Sequence, residues 1–219
     1  MIPLIFMQKI FILPQIPSEL YNERQLSECM LMIRTAQKEQ TRHHLLNMAY
    51  GEFAQKGFLA AKTLDIATAA GVSHGTLFLH FPTKEQLLIK TIDEFGIRVG
   101  TKLKRLIKAK AEARQVLAAH LETIEEYESF YANLVIEGPL LPPSVRNRVF
   151  MIQSGVAHYL EKTMKKMAPH AVPLHFLLNS WLGLIHYHLV NRDLFAPGKS
   201  VIATRGKDLL DHFIKTFQL

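Results

Sequence analysis

The sequence predicts an all-α fold, and three observations predict it. No stretch alternates apolar and polar residues between the Asn-Gly or Asp-Gly turns that flank strands. Apolar residues recur instead at spacings of three and four, which places them on one face of a helix. Short proline or glycine breaks then cut the chain into helix-sized pieces.

Residues 1–31 read as an extension that fits the rest poorly, with Met32 as an alternative start. Met1 to Pro14 is apolar but broken by Pro3 and Pro14, too short for a bilayer and without the basic segment and cleavage site of a secretory signal. A first helix is expected from Lys38 to Lys56, with Leu45, Ala49 and Phe53 four residues apart and Gly57 closing it. Two short helices follow, Thr63 to Ala70 and Ser73 to His80, on either side of Gly71. Pro82 and Thr83 open a long one.

One helix is expected from Ala113 to Glu137, closed by Gly138, Pro139, Pro142 and Pro143, and another from Ser144 to Ala168, before Pro169. After Pro173 the run LHFLLNSWLGLIHYHLV is apolar on nearly all sides, which marks a buried or interface helix. Pro197 and Gly198 separate it from a last helix starting at Ser200, where Leu209, Leu210, Phe213, Ile214 and Phe217 form one stripe. These pieces make a small N-terminal helical unit followed by a helical bundle.

Of the 219 residues, 48% are hydrophobic and 21% charged, ample for a globular core. The net charge of +7 favours an anionic partner. Arg98, Lys102 and Arg105 share one helical face, either a solvated surface or a face turned to DNA. Cys29 is the sole cysteine, which excludes an intramolecular disulfide and a Cys-based structural zinc site and fits a reducing cytoplasm.

Residues 57–92 carry the most specific chemistry. A helix-turn-helix needs a small residue where its two helices touch, a tight turn, and apolar residues between them. Ala67 supplies the first, Gly71 can adopt the left-handed turn geometry, and Ile66, Val72 and Leu77 supply the contacts. Ser73 stands at the N-cap of the second helix, so His74, Gly75 and Thr76 form its first turn. Gly75 lets backbone approach DNA closely, and Thr76 offers a hydroxyl and a methyl group to a base edge. Thr83 to Gln86 fits a capping box that sets free amides beside Lys84, the outline of a phosphate clamp.

The segment IATAAGVSHGTLFLHFPTKEQLL resembles the signature of the TetR family, and the strong resemblance covers residues 41–95. It implies an N-terminal three-helix helix-turn-helix DNA-binding domain over 36–85, after an extension of doubtful structure over 1–35. A larger helical-bundle domain for dimerisation and ligand sensing would follow over 86–219. It also implies a cytoplasmic, ligand-responsive repressor that binds a palindromic double-stranded operator as a homodimer. An alternative is a constitutive DNA-binding protein of the same fold whose second domain recruits a protein partner.

By position, the family's DNA contacts fall on Thr63, Ser73, His74, Gly75, Thr76, Phe78, His80 and Lys84. Phe78 departs from the usual tyrosine, Lys62 from serine or threonine, and Glu52 from leucine. The last two helices are dimer candidates through Leu174, Leu177, Leu178, Trp181, Ile185, Leu209, Phe213 and Phe217; filling the core of one chain is the competing role. Tyr127, Phe130, Tyr131, Phe150, Met151 and Trp181 are candidates to line a pocket for an unknown small-molecule effector. His186 and His188, two residues apart, point in different directions on a helix and argue against a metal site. No nucleophile–base pair, phosphate loop or cofactor motif suggests an enzyme.

Overall fold

The structure, a computed structural model, describes residues 23–164 and 172–219, with side chains from residue 27 onward. Among the described residues every regular element is helical: α1 Glu23–Lys56, α2 Thr63–Ala69, α3 His74–His80, α4 Lys84–Leu106, α5 Ala113–Glu126, α6 Glu128–Glu137, α7 Pro143–Met164, α8 Leu174–Val190, α9 Arg192–Phe195 and α10 Val201–Phe217. A 3-10 turn, Gly138–Leu140, follows α6. Of the expected extension, residues 1–22 lie outside the described residues, as do 165–168 at the expected end of the sixth helix.

The chain divides into two compact units, Met1–His43 and His44–Leu219, and the division falls inside α1. Helix α1 begins at Glu23 rather than at the expected Lys38. Residues 23–40 contain neither glycine nor proline and are rich in Glu, Gln, Leu, Met and Arg, good helix formers. Residues 27–40 are all exposed, so no buried stripe announces a helix there.

In the second unit, Leu45, Ala49 and Phe53 form the expected buried stripe of α1, and Gly57 ends it at φ +82°. Glu52 pairs with Lys56 one turn on at 2.7 Å, and Lys56 also reaches Asp65 on α2 at 3.0 Å. The Glu52 side chain is only 16% exposed, so the cation beside it offsets a carboxylate that is largely removed from water.

The single helix expected from Ala113 to Glu137 is two. Tyr127, at φ −113° and ψ 17°, breaks it. The next residue explains the break: the Glu128 carboxylate accepts from the Val201 amide at 2.7 Å and the Ile202 amide at 3.0 Å, at the free N-terminus of α10. Satisfying those amides with a charged acceptor outweighs continuing one helix through Tyr127.

In the bundle α5 packs on α4 and α10, α4 on α7, and α8 on α6, α7 and α10. Trp181 lies at its centre, fully buried, with the Phe213 ring 4.9 Å away and its indole N–H donating to His120 Nδ1 at 3.2 Å. This placement corrects the expected dimer face. Leu177, Leu178, Trp181, Ile185, Leu209 and Phe213 are buried within the single chain, and Leu174 and Phe217 pack partly buried against the same core. The exposed side of α8 carries Phe176, Gly183, Tyr187 and Val190 instead.

Two of the three residues on the basic face of α4 turn inward, while Arg105 is exposed. Arg98 donates to Asn47 Oδ1 at 2.5 Å and lies over the Tyr50 ring, so it ties α4 to α1. Lys102 donates to the Glu126 carboxylate at 2.5 Å and to the Glu122 carbonyl at 2.9 Å. Both cations are spent on neighbouring helices, against the alternative of a face turned to DNA.

Candidate nucleic-acid interface and bundle cavity

Helix α3 is a short rod pinned by one buried residue. Leu77 is fully buried against Ile66 and Ala67 of the same core, whereas Phe78 and Leu79 are exposed, Leu79 by 81%. Gly71, at φ +67°, makes the left-handed turn before it, a geometry that favours glycine because it lacks Cβ. Ser73 caps the helix: its Oγ accepts from the Thr76 amide at 3.0 Å and shares a 2.8 Å hydrogen bond with the Thr76 hydroxyl.

The structure gathers seven of the eight expected contact residues around this rod. Ser73, Gly75 and Phe78 are exposed, and His74, Thr76 and His80 are half-buried. Thr63, in the first turn of α2, has its hydroxyl 2.9 Å from His74 Nε2 and so steadies the start of α3. Lys62 is the N-cap of α2 and makes no capping bond there. Phe78, in place of tyrosine, packs tilted against the His74 ring with centroids 4.8 Å apart. From Ser73 to Phe81 there is neither lysine nor arginine.

Lys84 is placed differently from the expected clamp. Thr83 does cap α4, its Oγ1 accepting from the Gln86 amide at 3.1 Å. The Lys84 ammonium, however, donates to the Leu59 carbonyl at 3.2 Å, and burial lowers its pKa while Glu137 opposes that shift. It holds the α1–α2 turn rather than standing free at the helix end.

Between α4, α5, α6, α7 and α8 lies a partly open cavity of about 30 Å³, walled by Phe95, Val99, Ile124, Tyr127 and Tyr131 with Gln153 and His120 as polar groups. Because Trp181 can only donate, His120 Nδ1 accepts, and the neutral ring carries its proton on Nε2. Burial, with a smaller contribution from His186, pushes the His120 pKa down to about 4. Burial also lowers the His186 pKa and raises that of Tyr131, and these two side chains meet at 2.6 Å. The polar groups here are therefore uncharged near neutral pH. Beyond them, Arg146, Phe150 and His186 line an open groove of about 260 Å³.

Of the expected pocket residues, only Tyr127 and Tyr131 reach the cavity. Phe130 is fully buried behind it and stacked on Tyr50 at 4.6 Å. Phe150 and Met151 are exposed on the outer side of α7, and Trp181 is core. Residue type made these side chains candidates, but sequence spacing cannot say which of several helices each one meets.

Residues 45–91 match the sequence profile of the bacterial regulatory proteins of the tetR family. The helix-turn-helix segment of this chain is of the TetR type. Among curated relatives, this chain is 38% identical over 76 residues to the HTH-type transcriptional repressor Rv3405c of Mycobacterium tuberculosis, a match that covers 35% of this chain and 38% of that protein. The chain thus spans well under half the length of that relative. The fold extends further. A TetR-family regulator from Agrobacterium tumefaciens aligns with TM-score 0.67 over 80% of this chain and 98% of its own, at 17% identity. FadR from Bacillus subtilis, solved in complex with stearoyl-CoA, aligns with TM-score 0.61 over 78% of this chain and 97% of its own, at 21% identity. Among the described residues no helix is long and apolar enough to cross a membrane, and no cluster of three metal-ligating side chains occurs.

Two residues absent from the expected site stand out. Asn133 and Glu137 on α6 both bond to backbone at the end of α1 and in the turn after it. Nothing in the local sequence marks them, since their partners lie 79 and 80 residues away.

Proposed function

We propose that this chain is a sequence-specific DNA-binding transcriptional regulator that acts as a homodimer on a near-palindromic operator and responds to a small molecule in its bundle. The observation that carries this reading is α3: a capped, outward-facing helix whose one buried residue is Leu77, with His74, Gly75 and Thr76 in its first turn. Such a rod fits the major groove, where short side chains near a helix N-terminus meet base edges.

The exposed apolar stripe of α8, Phe176, Tyr187 and Val190 with Gly183 between them, supports a second copy as its cover. A twofold dimer sets two reading helices on successive major grooves, which is why such operators are near-palindromes. The effector reading rests on the cavity, whose apolar walls and neutral polar groups suit an uncharged, largely hydrocarbon moiety. The stearoyl-CoA carried by the Bacillus neighbour includes such a moiety. At about 30 Å³ the cavity holds roughly one water, so an effector must widen it by moving α6 or α7. A ligand that prefers the widened arrangement draws the population away from the DNA-competent one.

The test begins by selecting duplexes from a random pool with the full-length chain. His74→Ala combined with Thr76→Ala should weaken binding to the selected duplex by roughly 30-fold or more and blur its preference, at about 1–3 kcal/mol for each of two lost base contacts. Helicity by circular dichroism should stay unchanged. A double variant that binds and discriminates like the parent removes α3 from the interface.

A further inference from the structure

We infer that Glu137 is the positioning residue through which the bundle fixes the recognition helix. Its Oε2 accepts from two successive amides, Phe58 at 2.7 Å and Leu59 at 2.9 Å, in the turn that follows α1. One turn earlier on α6, the buried Asn133 donates to the carbonyls of Phe53 at 2.9 Å and Ala54 at 3.1 Å. Helix α6 thus grips both the end of α1 and the turn beyond it.

The fit is tight at Gly57. A Cβ there would stand 2.1 Å from Glu137 Oε1, closer than atoms can pack, and φ is +82° besides. Hydrogen is what this position tolerates while Glu137 keeps its bonds. From the opposite side the Lys84 ammonium holds the Leu59 carbonyl at 3.2 Å. The backbone of Leu59 is therefore held at its N–H by an acid of α6 and at its C=O by a base of α4. A carboxylate on two backbone amides is a charge-assisted pair, about twice as strong as a neutral one.

The turn leads straight into α2, where the Thr63 hydroxyl meets His74 Nε2 on α3 at 2.9 Å. Each step from α6 to the turn, through α2, to α3 is a hydrogen bond or a covalent segment of a few residues. A tilt of α6 changes the register of the turn, and α3 follows. This inference rests on the reading of α3 as the DNA-contacting element.

The experiment uses the full-length protein and the duplex selected by the wild type. Glu137→Gln keeps the size of the side chain but removes its charge. Operator affinity should fall about ten-fold, the scale of one charge-assisted hydrogen bond, with random-duplex affinity and helicity unchanged. Glu137→Asp should restore part of the loss, while a role confined to stability predicts that affinity follows Tm in both variants. A double-mutant cycle with Thr63→Val should give a combined loss smaller than the product of the single losses. Independently of DNA, hydrogen exchange in Glu137→Gln should quicken at the amides of Phe58 and Leu59 and spread into α2 and α3. Faster exchange confined to residues 58–59, operator affinity within about two-fold of the parent, or loss of the fold in both variants overturns the inference. A wild-type chain that selects no duplex at all sinks the DNA-binding reading instead, and the exchange pattern still decides the role of Glu137.

Discussion

The helix-turn-helix and the bundle are held together at different ranges along the chain. At α3 itself these polar bonds are local: Ser73 reaches Thr76 three residues on, Thr83 reaches Gln86, and Thr63 reaches His74 across eleven residues, while the long ties from Lys84 and Glu137 end on the turn before α2. In the bundle the decisive bonds join distant segments, 61 residues apart for His120 and Trp181 and 73 for Glu128 and Val201. One region is set by capping and turn chemistry, the other by tertiary packing that sequence neighbours do not dictate. A locally specified unit can move as a body when the packing behind it changes, which suits the proposed role of a reading head governed by the bundle.

Trp181→Ala should separate the two regions most sharply. Removing a fully buried indole costs about 3–5 kcal/mol through lost transfer energy and the cavity left behind, and the orphaned His120 acceptor adds to it. Thermal unfolding should shift far downward, while exchange protection in α2 and α3 declines no more than global stability does. Selective melting of α3 first would erase the distinction between local and long-range support.

Acid should act on the bundle next. His120 titrates at about 4 when folded against an ordinary 6.5, so the unfolded chain binds the extra proton across that window. Stability contributed by the neutral ring is full above pH 6.5, falls as the pH drops toward 4, and levels off below. The loss is up to about 3 kcal/mol from this group, at 1.36 kcal/mol per unit. Urea titrations of wild type and His120→Phe between these pH values should show a flatter slope for the variant; equal slopes would remove His120 as the cause. The smallest effect belongs to the local region. Ser73→Ala should cost about 1 kcal/mol, the typical value of an N-cap, seen as faster exchange at the Thr76 amide without change in the bundle.

The same contrast governs what could be read from the sequence. Gly71, Ser73 and Thr83 were legible because a left-handed turn and a helix cap are demands met within three or four residues. The helical class followed from periodicity alone. Trp181 and Leu177 illustrate the limit: an all-apolar helix is equally a core helix or an interface, and the partner that decides, Phe213 for Trp181, sits far along the chain. Arg98 and Lys102 looked like a basic face because their acceptors, Asn47 and Glu126, lie on other helices. Glu128 cut a periodic stretch in two for a helix N-terminus more than seventy residues away, at a separation of 73.

The stretch from Ser73 to Phe81 carries no lysine or arginine, although the chain as a whole is +7. Coulomb attraction to a polyanion pulls on the entire molecule and tells no duplex from another. With permanent charge kept away from the probing edge, adhesion and discrimination are assigned to separate surfaces. In the proposed role, ionic strength would tune how long the protein lingers on nucleic acid, and the shapes of Thr76, Phe78 and Leu79 would decide where.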